Sequence, residues 1–330
     1  MKVVQIAGDL SAANGVGTFV RNLVRALERE GVGSTLAPRA DGVLDGADLV
    51  HIHGLWRPDY HLAAVAARRR GLPVVWSTHG MTAPWAMAHR RWKKLPAWLV
   101  YQRGDLRRAT ALHATSDAEA EWNRALGLGE SAVVPLGTEV GSVTPVAPSD
   151  TARTLRVTFV GRLHPIKGLD RLLRAAKLVG DRAEFRLVGP DEDGYRAKLE
   201  REAARLGLRN VVFAGPAYGE DLAAAYDDCD VLVLPSHTEN FGAVVVDALA
   251  HARPVIAARG TPWRTLEEHG CGWWTDNEPA ALAAVVVAAA ELPRSELYAR
   301  GLVGRRLVEE RYSWEAVARG MAAVYRRALG

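Results

Sequence analysis

The stretch from Pro235 to Ala250, P-S-H-T-E-N-F-G-A-V-V-V-D-A-L-A, carries two carboxylates, Glu239 and Asp247, on either side of Gly242. If the whole interval were helical they would lie about 12 Å apart, at roughly 1.5 Å per residue. The paired acid and base of a glycosidase sit about 5 to 9.5 Å apart, so that chemistry fits poorly. The spacing suits two ends of one long ligand. Gly242 lets a ligand or backbone come close, and the amides opening the helix after it can hold an anion. The plainer alternative is an N-cap cluster followed by an acid on a helix face.

A second cluster is cationic. In Gly161-Arg162-Leu163-His164-Pro165-Ile166-Lys167-Gly168, Arg162 and Lys167 flank a proline-shaped turn between a strand and a helix. Both can point at one anion near a helix N-terminus, and a diphosphate is the natural guest. If it is a leaving group, the same cations stabilise the charge that develops on it. The alternative is two solvated surface cations. Gly15-Val16-Gly17-Thr18, after the polar turn Asp9 to Asn14, also lies where a strand passes into a helix, and backbone N–H groups there can face a diphosphate. The dinucleotide fingerprint G-x-G-x-x-G is absent because Val20 occupies the third glycine position, so no nicotinamide or flavin site is expected.

His51 and His53 share one face of a strand, and His79 ends another, where it points to the ligand end of the sheet. No carboxylate or third imidazole with ligand spacing accompanies the first two, which read as structural. Asp191-Glu192-Asp193 has the spelling of a metal-binding D-x-D, yet it follows Val188-Gly189-Pro190 as a solvated turn. No metal site is expected.

These residues sit on strand ends in two blocks of alternating strand and helix. The first has apolar strand runs at Val3 to Ala7, Ser34 to Pro38, Asp48 to His53, Pro73 to Thr78, Ala111 to Thr115 and Ala132 to Pro135. Val140 to Arg153, rich in Gly, Pro, Ser and Thr, reads as a linker. Strands then return at Leu155 to Val160, Phe185 to Val188, Val211 to Ala214, Val231 to Leu234 and Pro254 to Ala257. The chain from Pro279 is helical, ending in an amphipathic segment with Ser313 as its N-cap. The pattern predicts an α/β protein of two doubly wound domains, with a groove between their strand ends.

Composition bounds the function. The 330 residues carry a net charge of +4, too mild to indicate nucleic acid. The two cysteines, Cys229 and Cys271, lack metal-ligand spacing and read as free thiols in a reducing compartment. The start enters a strand with no basic, apolar leader, and no window is long and apolar enough to span a bilayer, so the cytoplasm is expected. From Pro84 to Arg108, Trp85, Trp92, Trp98 and Tyr101 are interleaved with Arg90, Arg91, Lys93, Lys94, Arg103, Arg107 and Arg108. Such a stretch suits an anionic membrane surface at the inner face of the cell membrane, and equally a solvated face with core aromatics.

With Gly161-Arg162, Lys167-Gly168, Glu239 to Asp247 and Ser313-Trp314-Glu315 in view, the chain resembles the retaining glycosyltransferases of family 4, over nearly its whole length. The resemblance implies a GT-B fold: two Rossmann-like domains facing across a cleft, residues 1–150 on the acceptor side and 151–312 binding a nucleotide-sugar donor, with 313–330 crossing back. It implies that Arg162 and Lys167, with Gly161, hold the donor diphosphate. Glu239 then contacts sugar hydroxyls, Asn240, Phe241 and Gly242 offer backbone contacts, and Gly15, Val16 and Gly17 form the glycine loop facing the phosphates. His79 reaches the transferred sugar. The second acid of the family's E-x7-E motif binds ribose hydroxyls, and here Asp247 replaces it. The implied reaction moves a hexose from a UDP- or GDP-linked donor to a saccharide or lipid-linked saccharide of the cell envelope, with retention and without metal or cofactor. A nucleotide-sugar epimerase of the same fold, or a non-catalytic nucleotide-sugar-binding subunit, are the alternatives.

Overall fold

The computed structural model describes residues 1–8, 10, 15–141, 143–147 and 154–330. The polar turn expected at Asp9 to Asn14 falls outside the described residues except for Leu10, as do residues 142 and 148–153 of the expected linker. The chain divides into two units, Met1–Gly137 with Arg311–Gly330, and Thr138–Glu310.

The first unit is built on strands β1 (Lys2–Ile6), β2 (Gly33–Ala37), β3 (Leu49–His53), β4 (Val74–Ser77), β5 (Ala111–Ala114) and β6 (Ser131–Val133). They form one parallel sheet in the order β2-β1-β3-β4-β5-β6. Helices cover both faces, which is why β3 and β4 are buried at every position and read as unbroken runs. One face packs Phe19, Val20, Leu23 and Leu27 of the helix Gly15–Arg29 against Trp314, Val317, Met321 and Tyr325 of the helix Trp314–Leu329. Ser313 caps that last helix, its hydroxyl accepting from the Ala316 N–H at 3.3 Å. The other face buries Tyr60, Ala63 and Ala67 of the helix Pro58–Arg69 with Trp76 and Leu106.

The second unit repeats the plan with β7 (Leu155–Val160), β8 (Ala183–Val188), β9 (Val211–Gly215), β10 (Val231–Leu234), β11 (Val255–Ala258) and β12 (Gly272–Thr275), in the order β12-β11-β10-β7-β8-β9. The strand order reverses between β7 and β10, which lie side by side with Val231 opposite Val157. Loops leaving the carboxyl ends of strands at such a reversal open a crevice.

Two features differ from the pattern reading. β12, with Gly272 and adjacent indoles at the sheet edge, is a strand beyond the last apolar run, Pro254 to Ala257, that the pattern marks. The division falls at Gly137–Thr138, ahead of residue 150, because the intervening segment is tied to the second unit. Thr138 donates its hydroxyl to Asp247, Arg305 reaches the Val140 carbonyl at 3.2 Å, and Arg253 the Val146 carbonyl at 2.8 Å.

Candidate functional site

In the second unit the turns after β7 and β10 are stitched together. The His237 N–H donates to the Ile166 carbonyl at 2.8 Å. Gly168, at φ +67°, packs so tightly that a Cβ there would lie 2.2 Å from the Pro235 carbonyl oxygen. Only glycine meets both demands. The short helical turn Pro165–Lys167, capped by the His164 ring, therefore holds Lys167 over the Ser236–Glu239 loop. Lys167 Nζ lies 2.5 Å from Glu239 Oε1, and the Ser236 hydroxyl donates to the same oxygen at 2.7 Å. Both side chains are mostly buried, with 17% and 14% exposure. A cation and an acid locked at the reversal of a parallel sheet can divide one ligand between them, the ammonium taking phosphate oxygens and the carboxylate taking hydroxyls.

Arg162 has a different partner. Its guanidinium donates at 2.6 Å to both oxygens of Glu192, in the turn whose spelling predicts a solvated loop. It is 61% exposed, so an incoming anion has access to it. Gly161 spends its own N–H on the Val188 carbonyl at 2.9 Å, and therefore contributes room rather than a donor. Asp191 caps the helix Tyr195–Leu206 by accepting from the Arg196 N–H at 2.8 Å.

Gly242 precedes the helix Ala243–Ala250 at φ +83°, and a Cβ there would meet Leu234 at 3.0 Å and the Trp263 indole nitrogen at 3.2 Å. The Phe241 ring is buried edge-on to Trp263, and its carbonyl accepts from the Trp263 indole N–H. Asn240 lies half-buried between Glu239 and this anchored residue. Asp247, on the helix, accepts the Thr138 hydroxyl at 2.6 Å. Burial raises its pKa, opposed by the hydrogen bond from Thr138 and by nearby His251.

The first unit holds the remaining candidates. Gly15, Val16 and Gly17 are the first turn of the helix Gly15–Arg29, rather than a loop before it, so the N–H groups of that turn face out of the helix end. His79 follows β4 in the left-handed region, at φ +48° with Gly80 at +71°. Glu119 fixes this bend, although its place in the first turn of the helix Asp117–Ala125 carries no motif that marks it. Its carboxylate accepts from the Thr78 hydroxyl at 2.6 Å, the Gly80 N–H at 2.5 Å and the Thr115 N–H at 2.7 Å. Burial pushes the Glu119 pKa up, but those bonds outweigh it and hold it below the ordinary carboxylate value. The His79 ring packs edge-on to Phe19, its centroid 5.4 Å away. Burial takes its pKa down to about 4, against the pull of Glu119. The ring is neutral at pH 7.

His51 and His53 are fully buried and hydrogen-bonded in the interior, as a structural reading requires. Among the described residues, no group of three or more His, Cys, Asp or Glu side chains is arranged to hold a metal ion. The segment from Pro84 to Arg108 splits by direction. Trp98 packs at a tilt against Trp56, ring centroids 6.1 Å apart, and Tyr101 donates to the Trp56 carbonyl at 2.9 Å. Trp92, Leu99 and Val100 are 74%, 69% and 82% exposed. Among the described residues, no helix is long and apolar enough to cross a membrane.

Known proteins share both halves of this arrangement. Residues 34–137 match the family described as Glycosyl transferase 4-like domain, and residues 154–291 match the family described as Glycosyl transferases group 1. A D-inositol 3-phosphate glycosyltransferase of Streptomyces scabiei is 32% identical over 308 residues, covering 86% of this chain and 68% of that one. The chain belongs to the family 4 glycosyltransferases. D-inositol 3-phosphate glycosyltransferase 2 of Catenulispora acidiphila is 31% identical over 312 residues, covering 86% of this family 4 chain and 71% of its own. The sucrose-phosphate synthase of Thermosynechococcus elongatus has a TM-score of 0.79 to it at 22% identity, covering 99% of this chain and 98% of that chain. Anabaena HepE in complex with UDP-glucose has a TM-score of 0.76 at 20% identity, with 99% of each chain covered. These likenesses speak for the fold: the two Rossmann-like units are those of the GT-B glycosyltransferases.

Proposed function

We propose that this family 4 glycosyltransferase moves a hexose from a UDP- or GDP-linked donor to a hydroxyl of a saccharide or lipid-linked saccharide acceptor of the cell envelope, with retention and without a metal or cofactor. The observation that carries the reading is the Lys167–Glu239 pair, 2.5 Å apart at the reversal of the second sheet. A nucleoside diphosphate sugar presents an anion and hydroxyls side by side, which is what that pair can divide. Lys167 and Arg162 take the diphosphate, Glu239 takes sugar hydroxyls, and the half-buried Asp247 takes ribose hydroxyls. The amides opening the helix Ala243–Ala250 add positive potential toward the diphosphate. As the sugar–oxygen bond breaks, negative charge grows on the diphosphate, and the ammonium of Lys167 stabilises it. The acceptor hydroxyl enters from the face the diphosphate leaves, and a diphosphate oxygen takes its proton. His79 meets the transferred sugar.

The names of the relatives favour a second acceptor class, a phosphorylated cyclitol. The test is incubation with UDP- and GDP-hexoses against lipid-linked saccharides and inositol 3-phosphate, reading nucleotide release and product mass. Absence of release with every pair contradicts the transferase reading. An altered free nucleotide sugar with no glycosylated acceptor would instead indicate an epimerase, and donor binding without turnover a non-catalytic subunit.

The exposed Trp85, Trp92, Leu99 and Val100, flanked by Arg90, Arg91 and Lys93, support peripheral attachment to an anionic membrane surface at the cytoplasmic face.

A further inference from the structure

Behind His79 runs a chain of hydrogen bonds lying wholly inside the first unit. It starts at the Val134 carbonyl, 2.8 Å from His113 Nε2. A carbonyl only accepts, so a neutral His113 carries its proton on Nε2 and leaves Nδ1 bare. The Ser77 hydroxyl, 2.5 Å from that Nδ1, must donate to it. Having given its proton, Ser77 accepts from His51 Nε2 at 2.6 Å. His51 Nδ1 is then bare and takes the Tyr325 hydroxyl proton at 2.7 Å.

The same logic continues outward. Tyr325, its one proton spent, accepts from the Gln5 amide nitrogen at 3.0 Å. That turns the Gln5 oxygen toward His53 Nε2, which donates to it at 2.8 Å. His53 Nδ1 is left bare, and His79 Nε2 donates to it at 3.1 Å. Every intermediate side chain is fully buried, so no water competes for these positions. Burial lowers the pKa of all four rings, and each stays neutral at pH 7.

We propose that this chain, anchored at the Val134 carbonyl, sets the tautomer of His79, so that Nε2 carries the proton and Nδ1 is the acceptor offered to a ligand hydroxyl. His113, Ser77, His51, Tyr325, Gln5 and His53 are thus positioning residues. The use of the acceptor rests on the reading above, in which His79 meets the transferred sugar; the tautomer does not. A bare Nδ1 orients a hydroxyl by accepting its proton, whereas a protonated Nδ1 would force that hydroxyl to turn round. The left-handed bend at His79, held by Glu119, fixes where the ring sits, and the chain fixes which atom bears the lone pair.

The experiment is long-range 1H–15N correlation spectroscopy on the whole protein with 15N-labelled histidine, each ring assigned by substitution. His51, His53, His79 and His113 should all show a protonated Nε2 and a bare Nδ1. A protonated Nδ1 on His79 overturns the proposal. Tyr325→Phe cuts the chain while keeping the ring. His113 should keep its tautomer and His79 should become a mixture, with kcat falling about tenfold and the donor KM unchanged. An unaltered His79 in the folded variant overturns the proposal. Ser77→Ala cuts the same chain two bonds nearer Val134, on the far side of His51, should Tyr325→Phe fail to fold. If no donor is turned over yet the four rings are protonated on Nε2, the chain stands and only the proposed reaction falls.

Discussion

Lys167 Nζ lies 2.5 Å from Glu239 Oε1, although 72 positions separate the two residues along the chain. The contact exists because β7 and β10 are neighbours and because Gly168 lets the turn after one strand pack against Pro235 at the end of the other. A single charged pair thus reports on the whole arrangement of the second sheet.

Lys167→Ala should lower kcat by about a hundredfold, the usual effect of losing one group that stabilises charge on a leaving oxygen. Glu239→Gln should do comparable damage. The double variant should lose much less than the product of the two, because both side chains act on one bound donor. Steady-state kinetics over the donor that turns over best gives the comparison. Multiplicative losses would mean that the two residues work independently.

Arg162 meets Glu192 rather than Glu239, at 2.6 Å. If the guanidinium is to hold a diphosphate, Glu192 competes with the ligand for it. Glu192→Gln should therefore tighten UDP or GDP binding several-fold, while changing stability by less than about 1 kcal/mol because the pair is exposed. Titration calorimetry reads the affinity. Unchanged affinity in Glu192→Gln, together with unchanged affinity in Arg162→Ala, would remove Arg162 from the site.

Pattern alone made the alternation of strands and helices legible, along with the turn holding Arg162 and Lys167 and the stretch holding Glu239 and Asp247. These are local: each motif lies within a few residues of a strand end, where composition changes sharply. The partners of those residues were not legible. Glu192 sits in a turn whose spelling suggests only solvation, and Glu119 is one acid of a polar helix start whose carboxylate happens to fold back on Gly80. Gln5 and Tyr325 stand 320 positions apart, and no periodicity links them. Their pairing depends on the last helix packing on the first sheet, which is decided by tertiary burial.

Gly168 and Gly207 separate two costs of adding a methyl group. Both are left-handed, at φ +67° and +65°, but a Cβ meets the Pro235 carbonyl oxygen at 2.2 Å in the first and nothing within 4 Å in the second. Gly207→Ala should cost about 1 kcal/mol, from backbone conformation alone. Gly168→Ala should cost about 3 kcal/mol, since backbone must also move, and should impair turnover by shifting Lys167. Urea midpoints give the order. Equal losses would show that the turn after β7 is looser than its packing indicates.

The buried histidines make stability depend on pH with a definite sign. Unfolded, each ring takes up a proton near pH 6.5. Folded, burial keeps His51, His53 and His113 neutral below that and His79 down to about 4. The unfolded state therefore binds more protons as pH falls below 6.5, and stability drops by about 1.4 kcal/mol per pH unit for each such ring. Glu119, held below the ordinary carboxylate value, keeps its contribution until the pH is lower still. Urea unfolding free energies at about pH 7.5 and 5.5 should differ by several kcal/mol, and a flat profile would contradict the neutral network.

Binding to vesicles rich in anionic lipid should fall as salt is raised, and fall again in a variant with Arg90, Arg91 and Lys93 neutralised. Lys94 should matter less, since its ammonium already donates to the Ala86 carbonyl and lies over the Trp56 ring at 5.6 Å. Cosedimentation is the assay. Equal recovery with neutral and anionic vesicles at all salt concentrations would remove the membrane proposal.

Titration calorimetry of the free nucleoside diphosphate and its hexose conjugate against wild type, Lys167→Ala and Glu239→Ala tests the shared grip most directly. Lys167→Ala should weaken both ligands about tenfold, whereas Glu239→Ala, by freeing the Lys167 ammonium, should bind the free diphosphate at least as tightly as wild type and lose the extra affinity conferred by the sugar. Wild-type affinity for both ligands in both variants would contradict the placement of the donor at the Lys167–Glu239 pair.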